Sequence, residues 1–453
     1  MKKIVTLVMI MLLAVTFVFS AAACSIDTGT GGPDKPDVKP EENPDAEVHL
    51  TVGTLGKSAE QSVMQEWINA FQKKNPEVSI KITKNMSGMA EIINWTSAGE
   101  LPDIVWTAGD QHSPYSGTGY FQDLSDESKF PGNGAKNFFS DFYDALIDST
   151  HYSSSDEGIW FVPRDYNRLV IYINETAFEQ AGIAVPSNDW TWEDFLKTCD
   201  DLMKAGVKKA IEWKKWRPVY ATMLANYGGE YLDAEGNFAL DSDEAKACYE
   251  FYEEFYDTRT GYAISGEGAS FKAYSGELSS AVPMIVDVRP QLPDYVQTAY
   301  SRQWSLTARA FPNFVQKDGS AGKVGTGCSG YGITKACTDE TKREWAWKFL
   351  KWCMSEEGYD TVAYLGNIVP AITTMRESGA WTEYTYGGIT VDYEAFIADN
   401  TEDIFLNYYN ALPNSKHDTF VRMTDDFWNK VGVNSFATAV SEFKKQFESY
   451  MNQ

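Results

Sequence analysis

The sequence is poor in the residues that build metal and redox sites. It has four histidines and six cysteines in 453 residues, and they form neither an HExxH segment nor a CxxC pair. A zinc site needs clustered nitrogen and sulfur ligands, so we predict no metal and no cofactor. Besides Cys24 the number of cysteines is odd, and the spacing leaves a disulfide between Cys328 and Cys337 open.

Positive charge and long apolar runs are also scarce. Lys and Arg number 39 against 64 Asp and Glu, a net charge of −25. Nucleic-acid binding needs clustered basic side chains, so we expect no nucleic-acid partner. The run at 4–19 is too short for a membrane span, which needs about 20 apolar residues, and no second run follows. We therefore expect an exported, soluble chain.

Nucleotide and hydrolase motifs are missing as well. The sequence contains no GxSxG segment and no P-loop. Residues 325–330 match GxGxxG, but they precede a strand-like segment instead of opening a helix after a strand. We interpret these glycines as part of a crossover segment and predict no dinucleotide site.

The N-terminus has the features of an export signal. A basic start, an apolar stretch and a run of small residues predict a signal peptide at 1–23. The ending Ala-Ala-Ala-Cys resembles the bacterial lipobox, which implies lipidation at Cys24, although Ala21 stands where Leu is usual. The alternative is ordinary cleavage after Ala23. Residues 24–46, rich in Gly, Pro and Asp, predict a flexible tether.

The pattern after the tether predicts an α/β fold. Alternating apolar residues and helical periodicity give the order β-α-β-α-β over 48–106, which favours a parallel sheet. Ligands bind at the carboxyl ends of such strands, and these ends are the polar loops 54–58 and 107–111. Helices dominate the later parts, and Thr191 to Asp194 has the pattern of a capping box.

Five stretches carry a resemblance to a known family. They are the opening strand-helix-strand; LPDIVWTAGDQ with YFQDLS; GIWFVPRDYNRLVIYINETAFEQAGI with PSNDWTWEDF; AVPMIVDVRP; and GYGITKACTDETKREWAWKFLKW with GNIVPA. In this order, over 47–453, they resemble the extracellular solute-binding proteins of ABC importers, in the sugar-binding group that includes maltose-binding protein.

The resemblance implies a two-lobe, periplasmic-binding-protein-like α/β fold of type II with the ligand cleft between the lobes. It implies crossovers near 162–168, 323–331 and 370–374. Lobe 1 would combine 47–162 with 330–370, and lobe 2 would combine 168–325 with 375–453.

The resemblance also implies a function. The chain would be a lipid-anchored, monomeric receptor on the outer face of the cytoplasmic membrane, at the cell surface or in a periplasm. It would capture a carbohydrate, in particular an oligosaccharide, and deliver it to an ABC permease with a separate ATPase, without being an enzyme. One alternative is the same fold binding a peptide, polyamine or anionic solute. Another is a secreted glycoside hydrolase, which would need a longer strand-helix repeat than this sequence has.

Sugar binding requires planar polar groups and aromatic rings on which a sugar face can stack. Aromatic residues are 14% of the chain, which favours such platforms, although a single Trp is more often part of a core. By resemblance, the cleft contacts are Lys57, Thr107, Asp110, Gln111, Asp165, Asn167, Arg168, Trp213, Trp216, Arg217, Tyr220, Asp287, Arg289 and Trp428. The direction of Trp106, into the sheet or the cleft, stays open.

Three of these residues suggest a ligand preference. Where sugar binders of the group often carry a stacking Trp, this chain has Asp287, Val288 and Arg289. A cleft containing Arg168, Arg217 and Arg289 would favour an acidic or sulfated sugar, and we carry this forward as a hypothesis.

Overall fold

The alternating apolar residues Val48, Leu50 and Val52 are buried in the first of two five-stranded sheets. The computed structural model describes residues 43–130, 138–153, 155–316, 319–405, 412 and 416–452, all within one unit that spans Lys39–Gln453. The predicted signal peptide, the lipidation site Cys24 and most of the tether lie outside the described residues.

The α-helices of the described residues are α1 (Ser58–Lys74), α2 (Glu91–Ser97), α3 (Ser113–Ser116), α4 (Asp144–Asp148), α5 (Glu175–Ala181), α6 (Trp192–Ala205), α7 (Arg217–Asn226), α8 (Asp243–Phe255), α9 (Ala269–Lys272), α10 (Leu292–Arg302), α11 (Glu340–Cys353), α12 (Glu356–Ala363), α13 (His417–Trp428) and α14 (Phe436–Met451).

The strands are β1 (Val48–Leu55), β2 (Val78–Met86), β3 (Ile104–Ala108), β4 (Val162–Pro163), β5 (Asn167–Arg168), β6 (Val170–Asn174), β7 (Ile211–Glu212), β8 (Ala263–Ile264), β9 (Met284–Asp287), β10 (Leu306–Ala310), β11 (Lys323–Gly327), β12 (Ser329–Ile333), β13 (Thr385–Tyr386), β14 (Ile389–Thr390) and β15 (Glu402–Phe405).

The first sheet has the order β2-β1-β3-β12-β4. β1 pairs in parallel with both β2 and β3, which confirms the predicted β-α-β-α-β unit. β12 enters antiparallel to β3. Helix α1 covers this sheet with a buried stripe that includes Trp67 and Phe71, and this apolar face is the reason the segment folds back as a helix.

The second sheet has the order β10-β6-β9-β7-β8. Its strand β6 is buried along its whole length, and β10 and β9 flank it in antiparallel pairing. Helix α6 begins with the predicted capping box, in which Thr191 and Asp194 exchange side-chain and backbone hydrogen bonds. Phe195, Cys199 and Leu202 of this helix face the core.

Short segments join the two sheets. The chain runs from β4 of the first sheet through β5 to β6 of the second, and it returns from β11 to β12. β5 and β11 pair with each other in a small sheet with β15, and Asp165 pairs with Pro370 in an isolated bridge. The segments predicted as crossovers therefore lie side by side between the sheets.

The fold decides the interpretation of the GxGxxG segment and of the pair Cys328 and Cys337. Gly325 and Gly327 lie in β11 and Gly330 lies in β12, so the GxGxxG segment opens no helix. Cys328 and Cys337 are both buried as free thiols. Within the described residues, no helix is long and apolar enough to cross a membrane.

Candidate functional site

A cavity of about 370 Å³ lies where loops of the first sheet face the start of α7 and the crossover strands. Its wall combines apolar, aromatic, charged and amide side chains. The lining residues are Leu55, Lys57, Glu60, Ser87, Gly88, Trp106, Ala108, Gly109, Asp110, Gln111, Ser149, Asp165, Asn167, Trp216, Arg217, Pro218, Val288, Pro290, Gly325, Thr326, Gly327, Cys328 and Ser329.

The first-sheet side of the cavity comes from the carboxyl ends of β1 and β3. Lys57 follows β1, and Asp110 and Gln111 follow β3. Because parallel neighbours end at the same edge of a sheet, these polar loops converge there. Trp106, in β3 itself, also lines the cavity. Its side chain therefore faces the cavity, a direction that the sequence alone does not determine.

The opposite side is built around the start of α7. Trp216 is the residue before the helix, and Arg217 is its first residue. A Cβ atom at Gly325 would lie 2.6 Å from Thr222 Oγ1 of this helix, so only glycine lets β11 pack so closely. The Gly325 N–H donates to Thr222 Oγ1 at 2.7 Å, which fixes the helix against the crossover strand.

Arg217 is surrounded by carboxylates. Its Nη1 atom lies 3.6 Å from Asp110 Oδ2, and its Nε atom lies 3.5 Å from Asp425 Oδ1. Burial raises the pKa of Asp425, while Arg217 acts in the opposite direction. The positive charge of Arg217 is thus balanced before any ligand enters.

A buried charged cluster is formed by Glu60, Asp165 and Ser329, which line the cavity, and by Arg164, which contacts all three. Arg164 Nη2 lies 2.5 Å from Glu60 Oε1 and 3.2 Å from Asp165 Oδ2, and its Nε donates to Ser329 Oγ at 2.9 Å. Asp165 in turn accepts hydrogen bonds from the backbone N–H and the hydroxyl of Ser329. The cluster therefore ties α1 to both strand crossovers.

Several polar atoms in the cavity wall are buried without a hydrogen-bond partner among the described residues. They are the acceptor Oε2 of Glu60, the donor Nε1 of Trp106 and the acceptor Oδ1 of Asn167. Buried polar groups are normally paired, so a ligand that supplies both donors and acceptors would complete this wall.

Half of the residues singled out from the sequence meet in the cavity wall. They are Lys57, Asp110, Gln111, Asp165, Asn167, Trp216 and Arg217. The other half lie elsewhere: Thr107, Arg168, Trp213, Tyr220, Asp287, Arg289 and Trp428 do not line it.

Three aromatic residues of that second group belong to the core. Trp213 has no exposed surface and packs edge-on against Phe255. Tyr220 stacks on Trp428, with ring centroids 4.9 Å apart, and both are buried. In this conformation none of them can contact a ligand in the cavity. Thr107 is likewise fully buried, within β3.

The charged residues of that group have partners away from the cavity. Arg168 donates to Asp403 Oδ1 at 2.8 Å and to the carbonyl of Thr401 at 2.8 Å. Asp287 lies 2.7 Å from Lys214 Nζ, and burial raises its pKa. Both side chains are therefore paired with other residues of the protein.

Arg289 lies in an aromatic cage. Its guanidinium carbon is 4.8 Å from the ring centre of Phe396 and 5.5 Å from that of Trp381. It donates to the carbonyls of Gly366, at 2.7 Å, and Trp381, at 3.1 Å. Burial lowers the pKa of Arg289 to about 10. The set of three arginines on which the acidic-sugar hypothesis rests is therefore not assembled, since only Arg217 reaches the cavity.

Sequence reasoning missed Glu60. It lies in the first turn of α1, directly after the loop that was recognised as a carboxyl end of β1. The loop 54–58, which the strand pattern predicts at the carboxyl end of β1, ends two residues before Glu60. An acidic residue near a helix N-terminus is also common for electrostatic reasons.

The sequence model of the bacterial extracellular solute-binding protein family matches residues 56–360, about two thirds of the chain. The chain belongs to this family. Among curated relatives of this solute-binding protein is a multiple sugar-binding protein of Streptococcus mutans, 22% identical over 143 residues. The match covers 31% of this chain and 30% of that relative.

Solved structures share the fold of this solute-binding protein. An ABC substrate-binding protein from Listeria monocytogenes in complex with cycloalternan superposes with a TM-score of 0.68 at 16% identity, covering 90% of this chain and 99% of that one. Maltose-bound MalE3 of T. maritima gives 0.65 at 14% identity, covering 88% and 99%. UgpB of Mycobacterium tuberculosis with glycerophosphocholine gives 0.67 at 16%, covering 89% and 98%. The predicted two-lobe, periplasmic-binding-protein-like fold is confirmed.

Proposed function

We propose that this solute-binding protein captures a carbohydrate, in particular an oligosaccharide, in the cavity between its sheets and delivers it to an ABC permease. One observation carries the proposal: the cavity places the indoles of Trp106 and Trp216 among planar polar side chains from both sides. Rings for stacking and amide, carboxylate and guanidinium groups for hydroxyls are what a sugar requires. The curated sugar-binding relative and the sugar-bound structures support it.

The two large sheets would be the centres of the two lobes. Lobe 1 would contain 47–162 and 330–370, and lobe 2 would contain 168–325 and 375–453, with the adjacent crossover segments acting as hinges. A ligand that contacts both lobes favours the closed state over the open one. The permease would then recognise that closed shape.

The charges of the cavity favour a neutral sugar. Arg217 has Asp110 and Asp425 beside it, and Glu60 and Asp165 add further carboxylates to the wall. An anionic ligand would meet these carboxylates without a surplus of cations to offset them. The contacts that we propose are Lys57, Asp110, Gln111, Asp165, Asn167, Trp216 and Arg217.

The second candidate is the same receptor with a non-sugar solute, because UgpB, with a comparable fold, holds glycerophosphocholine. We infer a receptor without catalytic activity in either case. Tryptophan fluorescence of the purified protein, titrated with maltotriose, mannotriose, their uronate analogues and glycerophosphocholine, separates the candidates. A saturable change with a neutral sugar that is recovered intact supports carbohydrate capture. Sugar cleavage, or a response to glycerophosphocholine alone, contradicts it.

The location of the receptor is part of the proposal. Export would leave Cys24 as the lipid-modified N-terminus, with the tether joining the outer face of the membrane to the folded body. Metabolic labelling with a fatty acid should mark the protein in its native host, and Cys24→Ala should abolish the label. A labelled Cys24→Ala variant would contradict lipidation at this residue.

A further inference from the structure

Glu60 is a buried carboxylate that belongs both to the cavity wall and to the charged cluster with Arg164, Asp165 and Ser329. It is 8% exposed and lines the cavity. Arg164 holds its Oε1 atom at 2.5 Å, while Oε2 has no hydrogen-bond partner among the described residues. The two oxygens of one carboxylate are thus in different situations, one paired and one not.

The orientation of the Glu60 carboxylate is fixed by Arg164 and the partners of Arg164. Arg164 is 1% exposed and is itself held by Asp165 and Ser329. Burial raises the pKa of Glu60, with Arg164 acting in the opposite direction. A carboxylate with one oxygen locked by a buried guanidinium presents its other oxygen in a defined direction, which is what recognition of a single hydroxyl requires.

The neighbouring wall offers complementary groups. Trp106 is 6% exposed, and its Nε1 donor and the Oδ1 acceptor of Asn167 both have no hydrogen-bond partner within the part of the chain that the structure describes. A sugar hydroxyl donates one hydrogen bond and accepts others, so adjacent hydroxyls can satisfy a carboxylate and an indole N–H together. A ligand carboxylate has no hydrogen to donate to Glu60.

We propose that Glu60 is a ligand-contacting residue that determines specificity, with its Oε2 atom accepting a hydrogen bond from a hydroxyl of the bound sugar and Arg164 as the residue that positions it. The inference rests on the proposed function and deepens it. It predicts a ligand with a neutral hydroxyl donor at this point of the cavity.

Glu60→Gln is the decisive change. Arg164 donates hydrogen bonds, so it selects the amide oxygen of the new side chain, and the amide NH2 then faces the cavity. An acceptor is replaced by a donor of nearly the same shape. Calorimetric titration of the purified protein with maltotriose and mannotriose should show binding weakened about tenfold or more, the loss typical of a charged hydrogen bond. Glu66→Gln is the matched control, because Glu66 is on the same helix but pairs with Tyr364 outside the cavity.

Monodeoxy analogues of maltose identify the hydroxyl. One analogue should bind the wild-type protein weakly and lose little more in Glu60→Gln, because the two changes remove the same contact. Equal losses for every analogue in both proteins would overturn the proposal, as would a Glu60→Gln variant that binds like the wild type. If Glu60→Gln does not fold, Glu60→Asp serves instead, because it keeps the charge for Arg164 and withdraws the contact by one methylene.

The experiments distinguish a failure of the proposed sugar binding from a failure of the role assigned to Glu60. Absence of binding of every sugar to the wild-type protein overturns the proposed function, and the role of Glu60 fails with it. Binding to the wild-type protein together with unchanged binding to Glu60→Gln overturns only the role of Glu60.

Discussion

Arg217 and Asp110 form an ion pair that joins the first residue of α7 to the loop after β3, with 3.6 Å between Nη1 and Oδ2. Each side chain is 24% exposed. The pair links an element next to the crossover strands with the edge of the first sheet, and both residues line the cavity. A substitution of either residue should therefore change ligand affinity more than the stability of the fold.

Arg217→Ala should separate binding from stability. Partly exposed ion pairs contribute about 0–1 kcal/mol, so the free energy of unfolding should fall by no more than this in urea titrations. Sugar affinity, measured by calorimetry, should fall by about tenfold or more, because a charged hydrogen-bond donor leaves the cavity. Lys197→Ala, which breaks an ion pair with Asp201 on the outer surface of α6, should change neither. A large loss of stability with unchanged affinity would contradict the placement.

Trp216 and Trp213 form a matched pair for a second test. Trp216 lines the cavity, whereas Trp213 has no exposed surface. Trp213→Ala should lower the free energy of unfolding by about 3–5 kcal/mol, because it leaves a large cavity in the core. Trp216→Ala should leave stability nearly unchanged and remove most of the sugar binding and the ligand-dependent fluorescence change. The reverse assignment of the two effects would refute the site.

Trp216 and Trp213 also show what the sequence alone can and cannot predict about the site. Both residues lie in one short segment with no periodicity, so the sequence could not separate them. The fold does so because Trp213 follows the buried strand β7, whereas Trp216 precedes α7. Arg289 was unpredictable for another reason: the rings of Trp381 and Phe396 that enclose it are about a hundred residues downstream, and a local pattern does not report such contacts.

What could be predicted depended on rules that act locally. Lys57, Asp110 and Gln111 came from the family resemblance, but they lie in the polar loops 54–58 and 107–111, which alternation and a following polar loop predict at the carboxyl ends of parallel strands. Asn167 and Arg168 are consecutive in β5, where successive side chains point to opposite faces. One lines the cavity and the other pairs with Asp403, and the sequence gives no indication of which is which.

The charge balance of the cavity predicts its selectivity. Uronate analogues should bind more weakly than the corresponding neutral sugars. Asp110→Asn removes one negative charge beside Arg217. The affinities for uronates and for neutral sugars should then differ less, because the positive charge of Arg217 is no longer fully balanced by carboxylates. Asp294→Asn, at an ion pair with Lys272 outside the cavity, is the control. Competition titrations of both variants at low salt measure the ratio of affinities. Tighter binding of uronates by the wild-type protein would restore the acidic-sugar hypothesis.

His112 should make the fold sensitive to acid. It lies directly after Gln111, is fully buried, and its ring nitrogens contact Ser116 Oγ at 2.8 Å and the carbonyl of Ser149 at 3.0 Å. Burial lowers the pKa of His112 from 6.5 to about 3. Below pH 6.5 the unfolded chain therefore binds a proton that the folded chain does not, and stability falls as the pH decreases through this window.

The expected slope follows from proton linkage. The free energy of unfolding should decrease by up to about 1.4 kcal/mol per pH unit from this residue alone. The quantity that isolates this residue is the difference between the wild-type protein and His112→Gln in urea unfolding from pH 7 to pH 5. The variant should have the shallower slope, whereas His49→Gln, at an exposed position of β1, should behave like the wild type. Parallel slopes for the wild-type protein and His112→Gln would show that His112 takes up its proton equally in both states, contrary to its burial.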